Sequence, residues 1–123
     1  MRPNPIGVAI AGWLVPGAGH LLAGATRKGL IFFVVLNAMF ALGLTFHGEL
    51  FAFDTSDLLV LLAAIAQWAI GAPHVLAGMM GAGHGEITAA SYEYGNTFLI
   101  VGGLLNMLVV LDALDVARGV TRR

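Results

Sequence analysis

The chain has no cysteine and little charge: six Lys and Arg and seven Asp and Glu in 123 residues, 11% in all, against 59% hydrophobic residues. Absence of cysteine excludes disulfides, thiolate metal sites, a thiol nucleophile and a lipid-modified N-terminal cysteine. Scarcity of charge excludes an ordinary soluble domain, in which about 25% of residues are charged and about 45–50% apolar. The net charge of −1 and the lack of a basic patch exclude nucleic acid as a partner. Strand-like alternation between hairpin turns is also missing, which disfavours a transmembrane barrel. Four spans of about 20 residues would take two thirds of the chain and leave no room for a soluble catalytic domain.

What is present is apolar and helical in pattern, with a mean hydropathy of +0.88. The pattern predicts an all-α polytopic integral membrane protein, residues 1–123 forming one membrane domain. The expected architecture is a four-helix transmembrane bundle of two helical hairpins, with spans at about 6–25, 29–46, 58–80 and 96–117. Asn4 followed by Pro5 predicts the first helix start, and Pro16 interrupts that segment, so it kinks or re-enters. Asp54, Thr55, Ser56 and Asp57 offer caps to the third segment, and Gly71 and Pro73 loosen its far half. Gly95-Asn96-Thr97 reads as the cap of the fourth. Phe46, Phe51, Phe53, Tyr92 and Tyr94 fall in the linkers, where aromatic residues anchor at the membrane interface.

A rival reading takes Arg2, the first apolar run and Ala23-Gly24-Ala25 as a cleaved signal peptide; Pro16 and His20 within the run weigh against it. With four spans, one side carries Arg2, Arg118, Arg122 and Arg123 and the other Arg27 and Lys28. The Lys/Arg bias then places both termini in the cytoplasm of a plasma (inner) membrane protein, with the inverted topology close behind because Arg27 and Lys28 occupy the shortest loop.

Gly17-Ala18-Gly19-His20-Leu21-Leu22-Ala23-Gly24 matches Gly71-Ala72-Pro73-His74-Val75-Leu76-Ala77-Gly78 at six of eight positions. Two readings stand: a tandem repeat of hairpins that puts both His-bearing turns on the same side, or a chance match in a Gly/Ala-rich chain. Residues Ala11 to His20, with Gly24 and Arg27-Lys28-Gly29-Leu30 before an apolar span, resemble the two-transmembrane-helix domain family. The stretch Asn106 to Asp115, with its Asn and two Asp, resembles small uncharacterised bacterial membrane proteins. The resemblance implies a small accessory membrane protein with no established catalytic activity.

The polar residues inside the apolar segments are the candidate functional positions. Asn37, Gln67 and Asn106 share one depth and are expected to face one another, either as a clasp holding the bundle or as a midplane polar site. His20 is expected to bond the carbonyls freed by the Pro16 break, with a ligand site as the alternative. Asp112 and Asp115 share a helix face; they serve an interfacial ion pair with Arg118, or Asp112 is a buried partner of His20 or His74 or a proton-carrying group. No metal-binding spacing joins the histidines, no cofactor motif occurs, and the two serines, Ser56 and Ser91, lie near membrane boundaries. The expected function is therefore non-catalytic: an accessory or scaffold subunit that packs in the bilayer against itself or a larger membrane complex. The alternative is a small homo-oligomeric transporter or channel; a membrane-embedded enzyme would need His20, His74 and Asp112 to converge.

Overall fold

The structure, a computed structural model, describes residues 4–53 and 56–119. These are all-helical, without a β-strand: α1 Pro5–Leu14, α2 Ala18–Leu22, α3 Thr26–Thr45, α4 Leu58–Trp68, α5 Ala72–Met79 and α6 Tyr92–Ala117.

Local chemistry sets most helix starts. Asn4 accepts the Ile6 N–H at 3.0 Å ahead of Pro5, and Asp57 accepts the Leu59 and Val60 N–H groups at 3.1 and 3.4 Å. Asp54 and Thr55, the other expected caps, lie outside the described residues. The start of α6 departs from expectation, because Asn96 does not cap it. Its Oδ1 instead accepts the Glu49 N–H at 2.7 Å, so the helix begins four residues earlier at Tyr92.

The first apolar segment is not one helix. Pro16 stops α1, Gly17 turns the backbone at φ +88°, and α2 doubles back along α1. The return is close because two glycines face each other: a Cβ on Gly19 would lie 2.8 Å from the Val8 carbonyl oxygen and 3.3 Å from the Gly12 Cα. Val8, Ala23 and Ala25 then share a core with Ala113, Val116 and Ala117. Both ends of this hairpin therefore sit beside the C-terminal end of α6, here called end A.

From end A, α3 runs antiparallel to α6. Lys28 lies near Asp112, and at the other extreme a Cβ on Gly43 would meet Leu99 and the Gly95 carbonyl. That second extreme is end B. The loop after α3 pairs there with the loop after α5, through a Glu49–His84 bridge and a Leu50 N–H to Gly83 carbonyl bond of 2.8 Å. Helices α4 and α5 are bent by 107° at Gly71, where φ is +86°. Phe40, Ile70, Ala77 and Leu99, with Leu44 and Leu50 alongside, form the second core.

Two helices among the described residues, α3 and α6, are each long and apolar enough to cross a membrane, and the bent α4–α5 pair passes the same test only when joined. Within its apolar window α6 is 39% buried and α3 22%, so α6 is the axis on which the rest packs. Of the two readings of the His-bearing turns, a parallel repeat does not fit the arrangement of the helices. Each unit is a broken helix followed by a long one, and α3 and α6 run in opposite directions, so the units are inverted. The reason is the fold-back at Pro16 and Gly17: the chain traverses the molecule only once, along α3, before the α4–α5 pair begins.

Candidate functional site

A helix that stops inside a protein leaves carbonyl oxygens without partners. Here α1 and α4 both stop in the interior, and one side chain serves both ends. Asn106, fully buried on α6, directs its Nδ2 to the carbonyls of Gly12 at 3.2 Å, Trp13 at 3.4 Å and Ala69 at 2.9 Å. The two amide hydrogens thus serve three acceptors. Small residues let the chains approach this closely: a Cβ on Gly103 would collide with the Ala66 carbonyl, and one on Gly71 with the carbonyls of Trp13 and Leu14. Trp13 adds a second tie between the breaks, its Nε1 donating to the Trp68 carbonyl at 3.1 Å.

Gln67, also fully buried, is occupied elsewhere. Its Nε2 donates to the Glu49 carbonyl at 2.7 Å and its Oε1 accepts the Phe51 N–H at 2.8 Å, holding the loop after α3 against α4. Asn37, half-buried, donates to the Phe33 carbonyl of its own helix at 2.8 Å. The three carboxamides therefore do not bond one another, contrary to expectation. Broken helices and a loop folded inward supply backbone partners that an uninterrupted bundle would not contain.

His20 is fully buried near end A, with the Phe32 ring 4.9 Å from its own. Its Nε2 meets the Asp112 Oδ2 at 2.7 Å, and the Lys28 Nζ lies 3.8 Å from the same oxygen. Of the partners considered for His20, the structure brings it to this carboxylate rather than to the carbonyls freed at Pro16. Asp115 lies half-buried one turn further along α6, outside this pair. His74 packs its ring 4.5 Å from that of Trp68, and neither of its nitrogens has a hydrogen-bond partner in the protein. His20, His74 and Asp112 thus do not converge on one point. Among the described residues no three His, Asp or Glu side chains gather as a metal-binding group.

Sequence reasoning missed three contributors. Trp13 and Trp68 stand just before the two breaks at nearly the same offset as the His-bearing turns, and that spacing was the available signal. Glu49 gave none: its backbone carbonyl, backbone N–H and carboxylate are engaged by Gln67, Asn96 and Tyr92 respectively, the last at 3.1 Å. Beside the breaks lies an apolar groove of about 680 Å³ between α4 and α6, lined by Trp13, Leu62, Ile65, Ile100, Leu104 and Met107 among others. In the stretch that resembles the two-transmembrane-helix domain, the Pro16–His20 turn lies inside a hairpin whose first helix has ten residues.

No curated protein and no solved structure matches the chain. Residues 7–122 match the family of unknown function DUF6677, and the chain belongs to that family.

Proposed function

We propose that the chain is an integral plasma (inner) membrane protein in which α3 and α6 cross the bilayer. The α1–α2 hairpin then re-enters from end A and the α4–α5 pair from end B. The distribution of cations carries this reading. Arg27 and Lys28 begin α3 at end A, Arg118 follows α6 at the same end, and Arg2, Arg122 and Arg123 precede α1 and follow α6 in sequence. Nothing between Gly29 and Ala117 is Lys or Arg, whereas Glu49, Asp57, Glu86 and Glu93 fall toward end B. With the first segment folded back, Arg27 and Lys28 join the termini instead of opposing them. Arg27, Lys28 and Arg118 then favour a cytoplasmic end A.

In that setting the protein acts as a non-catalytic accessory or scaffold subunit, packing against a second copy or a larger membrane complex. The observation supporting this is that Asn106 and Gln67 are engaged by the protein's own backbone, while the surface at hydrocarbon depth is apolar. Leu30, Ile31, Val34 and Val35 form an exposed ridge on α3, and the groove between α4 and α6 has the same character. Helix faces of this kind associate by close packing. Native mass spectrometry of protein extracted gently from its own membrane tests it. A stoichiometric protein neighbour or a homo-oligomer is expected, lost when Val34→Gln and Val35→Gln disrupt the ridge; a bare monomer overturns the packing role.

A further inference from the structure

The three carboxamides of the apolar segments differ in what they bond. Asn106 and Gln67 are engaged by backbone groups of other elements. Asn37 stands near the middle of α3, a helix long and apolar enough to cross a membrane. Among the described residues its one hydrogen bond returns Nδ2 to the Phe33 carbonyl of its own helix, which leaves Oδ1 and the second amide hydrogen without a partner in the protein. A carboxamide at that depth is costly, and this one ties no two elements together.

Asn37 lines a cleft of about 460 Å³ between α3 and α5. On α3, Phe33, Asn37, Phe40 and Leu44 recur at the spacing of one helix face, and on α5 Pro73, Leu76 and Ala77 do the same. Ala77 is the one residue of α5 in the second core; Leu76 beside it is 58% exposed, so the cleft is open at the surface. The end beside Phe33 is walled by Pro16, fully buried, because a Cβ on Gly17 would already press on the backbone of Gly29 and Phe33. From Phe33 to Leu44 the cleft follows α3 for about 16 Å, taking about 1.5 Å per residue, and Asn37 stands one turn from the Pro16 end.

Pockets of about 300–1,000 Å³, mostly apolar with a few polar groups that set orientation, are the usual form of a small-molecule site. None of the residues lining this one is charged, so an ionic head would find no counter-charge. A bare hydrocarbon would leave the amide unanswered, whereas a hydroxyl both donates and accepts and answers either of its free atoms. We infer that the cleft binds a neutral long-chain alcohol from the bilayer, its hydroxyl on Asn37 and its chain running past Phe40 and Leu44 toward end B. The site requires neither a protein neighbour nor a given direction of crossing.

The test is photolabelling of the full-length protein in phosphatidylcholine vesicles with a dodecanol carrying a diazirine at mid-chain, the modified residues being mapped by peptide mass spectrometry. Labelling is expected to concentrate on residues 40–44 of α3 and 76–80 of α5, and to be displaced by excess 1-dodecanol but not by dodecane. Asn37→Leu removes the amide and is expected to lower labelling about tenfold, the effect of one hydrogen bond in hydrocarbon. Ala41→Phe fills the cleft from α3 and is expected to abolish labelling, whereas Ala63→Phe, in the groove between α4 and α6, leaves it unchanged. Thermal unfolding identifies the variants that keep the fold, and either cleft variant decides the matter alone. Equal labelling of the exposed ridge at Leu30, Ile31, Val34 and Val35 would mean ordinary solvation by the bilayer and overturn the site. So would equal displacement by dodecane, or full labelling of folded Asn37→Leu or Ala41→Phe protein.

Discussion

At the scale of single residues, the contrast between Asn106 and Asn37 is informative because both are carboxamides near the middle of a long helix. Asn106 donates to three carbonyls on two other elements, and removing its amide leaves all three without that donor. Asn37 returns its amide to its own helix and is half-buried. Asn106→Leu is therefore expected to destabilise the protein by about 1–3 kcal/mol, and Asn37→Leu by a few tenths at most. Thermal unfolding of both variants in one detergent checks this, and equal shifts would contradict it. Sequence alone showed these two residues as equivalent, since composition and depth are the same for both. What distinguishes them is the pair of interrupted helix ends beside Asn106, which only the folded chain supplies.

At the scale of elements, the starts of α1 and α4 were legible because a cap is local: Asn4 and Asp57 act within three residues of themselves. The break at Pro16 was legible for the same reason. The direction taken after it was not, because the fold-back depends on Gly12 meeting Gly19 and on the α6 surface behind them. Likewise the start of α6 moved because Asn96 serves a loop 47 residues away in sequence. The glycines separate the same way. Gly71 has φ +86° and no room for a methyl group against the Trp13 and Leu14 carbonyls, whereas Gly78 has open space around its Cα. Gly71→Ala is expected to lower the unfolding temperature sharply or prevent folding. Gly78→Ala is expected to raise stability by about 0.5–1 kcal/mol through the helix preference of alanine. Melting curves of the two variants provide the comparison, and a stable Gly71→Ala protein would show that the bend is not fixed by that residue.

At the scale of the whole molecule, units with one traverse each place the start of α1 and the end of α6 at end A. Because the chain has no cysteine, single introduced thiols report position without background. Arg27→Cys is expected to react with a membrane-impermeant maleimide only after cells are opened, and Ile87→Cys, at a strongly exposed position in the loop before α6, in intact cells. Labelling of both Arg27→Cys and Ile87→Cys in intact cells would restore four full spans. The tie made by Asn106 has a further consequence for how the protein is made. The carbonyls of Gly12 and Trp13 wait for a donor 93 or 94 residues later in the chain, and His20 waits 92 residues for Asp112. During synthesis the first hairpin therefore stays incompletely satisfied until the last helix has emerged. The α1–α2 hairpin is built well before α6 yet secured only by it, and a nascent chain stalled before α6 would expose that hairpin to quality-control proteases.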